Sequence, residues 1–77
     1  MNKARRKVID VLLETLADIR DQIENIHDQE EEAFDNLPES LEGSDRYEMM
    51  EEAVGNLDDA LSFIEDTIEC LESAREC

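Results

Sequence analysis

The sequence predicts an all-α protein: an antiparallel helical hairpin with helices over about residues 3–35 and 45–75 and a turn over about 36–44. Two such hairpins are expected to pair into a four-helix bundle. Three observations carry this reading. Apolar residues recur at alternating intervals of three and four through both halves of the chain, the spacing that places them on one side of a helix. The only proline and one of the two glycines fall together in "EEEAFDNLPESLEGSD", Glu30 to Asp45, and interrupt that rhythm once. A chain of 77 residues makes one small domain, 1–77, and too small a core to be comfortable alone.

The first helix rests on Ile9, Leu16 and Ile23 at heptad position a and Leu12, Ile19 and Ile26 at d, the pattern of a coiled-coil seam. Glu30 at a and Ala33 at d continue it, and Val8 and Leu13 widen it near the start. The turn follows from local chemistry. Asn36 is expected to close the helix in a left-handed cap. Leu37 precedes Pro38 and is thereby pushed out of the helical region. Gly43 can take a positive φ, and Ser44 can accept from the first free amides of the next helix, with Asp45 favourable in its first turn. The second helix carries Tyr47, Val54, Leu61 and Ile68 at a and Met50, Leu57, Ile64 and Leu71 at d. Beside them Ala53, Ala60, Thr67 and Ala74 form a column of small residues at g that would admit a close neighbour. Gly55 lies on the outer face.

A short connection makes the helices antiparallel neighbours. Charge points the same way. Lys3, Arg5, Arg6 and Lys7 would stand beside Glu65, Asp66, Glu69, Glu72, Glu76 and the terminal carboxylate. The basic cluster is unfavourable at the start of its own helix, so pairing with the far end of the second helix gives it a purpose; a simply solvated basic end is the alternative reading. Extra apolar residues lie off the two seams: Leu13 on the first helix, and Met49, Phe63 and Cys70 at position c of the second. They are the expected contacts of a homodimer, because paired hairpins would bury what one hairpin leaves wet.

Net charge is −16, with 23 acidic residues against seven basic ones, and four of those seven are Lys3, Arg5, Arg6 and Lys7. Such a surface repels nucleic acid and anionic membranes, so neither is an expected partner. A basic protein is the natural complement. No apolar run is long enough to span a bilayer, and acidic residues break up the signal-like start "MNKARRKVIDVLLETLADIRD", so the expected location is the cytoplasm. Cys70 and Cys77 lie seven residues apart, about 10 Å along a helix. That is too far for a bridge within one helix, and free thiols are expected.

Catalytic and cofactor signatures are weak. Glu24 and His27 have the E-x-x-H spacing of di-iron bundles, but they fall at b and e rather than at core positions. An exposed histidine is the expected reading, and no cofactor is implied. Glu30, at a core position, is expected to mark a frayed core near the turn or to pair with Arg46. The acidic runs lack the ligand alternation and glycine of a calcium loop. Neither cysteine has the base or positive field of a catalytic thiol. No phosphate loop or nucleophile elbow is present, so a non-enzymatic protein is expected.

The segments "NKARRKVIDVLLETLADIRDQIE" and "EEEAFDNLPESLEGSDRYEMMEEAVGNLDDALSFIEDTIECLE" together resemble small acidic helical proteins encoded by phages and prophages of gut-type bacteria. "EAFDNLPESL" is the most specific part of the likeness. The resemblance implies a phage context, in which small acidic proteins often block host defence proteins by offering carboxylates in place of phosphates. Two binding modes follow. In the first, an inhibitor or decoy meets a basic protein through Asp21, Asp28, Glu31, Glu32, Asp35, Glu51, Glu52, Asp58, Asp59, Glu65 and Asp66. In the second, an assembly adaptor uses the apolar hairpin tip, Phe34, Leu37 and Leu41. A metal-binding bundle on Glu24 and His27 is the third and least favoured reading.

Overall fold

The computed structural model describes all 77 residues. Helix α1 spans Lys3–Asp35, a single 3-10 turn spans Glu39–Leu41, and helix α2 spans Asp45–Glu76. The two helices pack against one another as a hairpin, a rod measuring 59 × 15 × 13 Å between Cα extremes. Neither helix is long and apolar enough to cross a membrane.

The helix starts are set by side-chain caps. Asn2 Oδ1 accepts from the Arg5 amide at 2.8 Å, and Ser44 Oγ accepts from the Tyr47 amide at 3.2 Å. Each supplies a partner for an amide that a helix end leaves without one. Asp45 and Glu48 in the first turn of α2 favour its positive dipole end.

The turn is built differently from expectation at its first residue. Asn36 has φ −91° and ψ 2°, so it is not a left-handed cap. Its amide bonds to the Glu32 carbonyl at 3.1 Å, completing one more helical bond, and Leu37 then bonds to the Phe34 carbonyl at 3.1 Å. Chain reversal falls to Pro38 and the 3-10 turn beyond it. Gly43 is the one residue with a positive φ, 81°, and it hands the chain to Ser44. Phe34 and Tyr47 close the tip, with ring centroids 4.9 Å apart and planes tilted by 49°. Leu37 and Leu41 are half-buried beside them, so the apolar residues of the turn plug the end of the rod.

The seam between the helices is shallow. Ile9 and His27 are the only buried residues. The half-buried residues of α1 fall at a (Leu16, Ile23, Glu30), at e (Arg6, Leu13, Arg20, Phe34) and, for Ala17, at b beside them. The expected a/d seam on α1 is therefore rotated to a/e. Leu12, Ile19 and Ile26 at d remain 45%, 40% and 55% exposed. On α2 the seam falls where the spacing places it, at a and d, with Ala53, Ala60 and Ala74 of the small column also half-buried.

The two glycines give opposite tests of this backbone. An added Cβ would meet nothing within 4 Å at either position, so backbone preference alone decides the outcome. Gly55→Ala should raise stability by about 1 kcal/mol, the helix-propensity difference. Gly43→Ala should lower it by about 1 kcal/mol, because φ is positive there. Urea titrations followed by circular dichroism would read both, and shifts of the same sign would contradict the backbone described here.

Candidate functional site

The rotation of α1 decides which side chains gather on which side of the rod. Successive residues of a helix are 100° apart. With a and e of α1 turned toward α2, positions b and f lie on one side of the seam and d and g on the other. On α2, positions e and b lie on the first side, g and c on the second. Two cross-links confirm the pairing of the first sides. Arg75 of α2 donates to both carboxylate oxygens of Asp10 on α1, the Nη2 contact at 3.2 Å. His27 of α1 meets Asp58 of α2, with Nε2 2.8 Å from Oδ1.

The acidic residues are segregated accordingly. All eleven acidic residues of α2 occupy b, e or f. Those of α1 occupy b, c or f, apart from Glu30 at a. They cover one broad face and both outer edges of the rod. Every carboxylate named from the sequence is exposed: Asp21, Asp28, Glu31, Glu32 and Asp35 on α1, and Glu51, Glu52, Asp58, Asp59, Glu65 and Asp66 on α2. Toward the tip Asp28, Glu31, Glu32 and Asp35 border one open depression with Asn36. The other broad face, d and g of α1 with g and c of α2, carries no acidic residue at all. Its only charges are Arg5 and Arg46.

His27 departs from the sequence reading. It is 8% exposed, not a surface residue, because position e of α1 faces α2. Glu24 is not the acid it meets. Nδ1 donates to Asp28 Oδ1 at 3.0 Å, and Nε2 lies between Asp58 and Glu31, the latter 3.6 Å away. Neither of those two oxygens is aligned as a hydrogen-bond acceptor for Nε2, so they act on the ring through charge. The hydrogen bond to Asp28 raises the His27 pKa above its usual 6.5; burial opposes this, and Asp58, Glu31 and Asp28 add to the rise through charge. The protonated form of His27 is thus favoured between two helices that are otherwise both acidic at this level. The same donor set, His27, Asp28 and Glu31, places its ligand atoms within 4.8 Å of one another, the geometry a divalent cation could share.

The remaining expectations sort as follows. The basic start of α1 does lie beside the end of α2, but its contacts are to backbone. Arg6 Nε donates to the Arg75 carbonyl at 3.2 Å, and the Met1 ammonium donates to Cys77 O at 2.7 Å. The ion pair at that end runs the opposite way, with the arginine on α2 and the aspartate on α1. Hydrogen bonding to Arg75 lowers the Asp10 pKa below its ordinary 3.8. Glu30 is half-buried and makes no ion pair with Arg46. Leu13 is half-buried in the hairpin's own seam. Met49 and Phe63 are 70% and 69% exposed, and Cys70 and Cys77 are free and exposed.

The direction of the His27 shift fixes a pH dependence. A pKa raised by folding means that the protonated ring stabilises the hairpin. That contribution is complete below 6.5 and is lost as pH climbs through the higher folded value. The thermal midpoint should therefore fall between pH 6 and pH 8, and His27→Ala should flatten the profile. A wild-type midpoint that stays level over this range would contradict the raised His27 pKa. Comparison of the chain with protein families, with curated proteins and with solved structures found no match.

Proposed function

We propose that this protein is a non-enzymatic binding module whose acidic face offers a nucleic-acid-like surface to a basic protein, as a phage-encoded inhibitor or decoy would. It works as a homodimer, two hairpins forming a four-helix bundle. The observation that supports this reading is the segregation of the acidic residues onto one broad face and the outer edges. Charge spread for solubility alone has no reason to avoid one face of the rod.

Magnitudes favour a paired form. A net charge of −16 over 59 Å gives one charge per about 3.7 Å of length. Two hairpins side by side would carry one per about 1.8 Å, against about 1.7 Å for duplex DNA. A groove shaped by evolution to neutralise duplex phosphates would meet a comparable line density of charge. Association would be steered over long range and weakened by salt. The apolar tip is the weaker candidate surface, because Phe34, Leu37 and Leu41 are engaged in plugging the end of the rod.

Affinity capture from host extract tests this at two salt concentrations. Partners bound at about 50 mM salt should be basic, and should be released at about 500 mM, well beyond the screening of exposed charges. Neutralising Glu51, Asp58, Glu65 and Asp59 to their amides should reduce capture at least tenfold. Phe34→Ala should leave capture in place. Partners that persist in high salt and disappear with Phe34→Ala would replace the decoy with an adaptor that binds through its tip.

A further inference from the structure

Most of the exposed large apolar residues lie on the face without acidic residues, Val11 on the outer edge of α1 being the exception within the helices. Val8, Leu12, Ile19 and Ile26 of α1 are 59%, 45%, 40% and 55% exposed, and Phe63 of α2 is 69% exposed. Within the hairpin only one apolar residue, Ile9, is buried. A rod of 59 × 15 Å offers a footprint of roughly 900 Å², about the ~800 Å² per partner of a standard stable interface. The occupant must be neutral and apolar on its contact side. A chain of net charge −16 would otherwise repel another of its kind, yet no acidic residue of either helix occupies this face.

The residues of the face are also complementary in size. The cross-links at Asp10–Arg75 and His27–Asp58 set the two helices level: from 10 to 27 on α1 matches from 75 to 58 on α2. Leu12, Ile19 and Ile26 therefore stand within one residue's rise, about 1.5 Å, of Ala74, Thr67 and Ala60. Large residues project from one helix and small residues line its neighbour, at matching heights.

We infer that a second copy of this chain covers the acid-free face, related by a two-fold axis parallel to the long axis of the rod. That operation lays α1 of each copy over α2 of the other. Leu12, Ile19 and Ile26 then fall opposite the partner's Ala74, the partner's Thr67 and the partner's Ala60, so knobs meet holes in both directions, as a self-complementary interface requires. All neighbouring helices run antiparallel, and both hairpin tips lie at the same end. A two-fold axis across the rod would instead set α1 on α1, large residues against large ones, with the tips at opposite ends. The inference deepens the dimer of the proposed function and does not need its basic partner, so either can fail alone.

Light scattering and spin-label distances test it on the purified chain. At about 50 µM the mass should be twice 8.9 kDa. Labels at Ser40→Cys, in a background with Cys70→Ser and Cys77→Ser, should lie about 30 Å apart or less between copies, and near 59 Å if the tips point in opposite directions. Ile26→Glu should shift the mass to one chain. Because that variant could lose its fold, Ala60→Leu serves as the second: it keeps helix propensity, fills the hole opposite the partner's Ile26, and should weaken pairing at least tenfold. A single-chain mass for the wild type, a long tip distance, or pairing that survives both variants would each overturn the assignment.

Discussion

Two helices lying side by side can bury only the strip they share. Everything else in this molecule depends on that constraint. A strip of this kind shelters one apolar residue and one histidine from solvent, so packing alone leaves the rotation of each helix weakly determined. Polar cross-links supply the missing determinant. Asp10–Arg75 near one end and His27–Asp58 nearer the tip draw together the b/e edge of α1 and the a/e edge of α2. The Phe34–Tyr47 pair fixes the same rotation at the tip. With that edge closed, the opposite edge must open, and Leu12, Ile19 and Ile26 turn outward with it.

This explains which parts of the molecule were legible in the sequence. Both helices, their antiparallel order and the turn follow from periodicity and from Pro38, Gly43 and Ser44, because these act through local backbone chemistry. Apolar spacing also finds the stripe on α1, but a stripe spans more than 100°. It does not say which edge of the stripe meets the neighbour. Leu13 was read as surplus to the seam and proves to be part of it, while Leu12 and Ile19 are the surplus. His27 was misplaced for the same reason, since the rotation that hides Leu13 hides every e position with it. Asn36 could have ended the helix in either of two ways. The choice went to the one that keeps a helical bond and leaves positive φ to glycine, where it costs least.

Placing His27 inside an acidic hairpin has an electrostatic logic. At this level α1 offers Asp28 and Glu31 and α2 offers Asp58, and three carboxylates without a counter-charge would push the helices apart. A lysine in the same place could reach away into solvent on its long stem. Imidazole is short and flat, so it stays in the strip, where the neighbouring carboxylates favour its protonated form. The arginines of the seam behave otherwise. Arg6 and Arg20 are half-buried, and their charged heads go to other partners, Arg6 to the Arg75 carbonyl of α2 and Arg20 to Asp21 on its own helix.

The distribution of charge ties the open face to the acidic one. A chain with 23 carboxylates repels its own copies over distances comparable to the Debye length, about 8 Å at physiological salt. Contact between copies is most tolerable where the acids lie on the far face and the outer edges of the rod, up to a helix diameter, roughly 10 Å, away. Moving every acid off one face satisfies that requirement and simultaneously concentrates charge on the surfaces left outward. The two properties are one arrangement seen from opposite sides. A substitution that places a carboxylate among Leu12, Ile19 and Ile26 would therefore damage both, by opposing assembly and by diluting the outward line of charge along the rod.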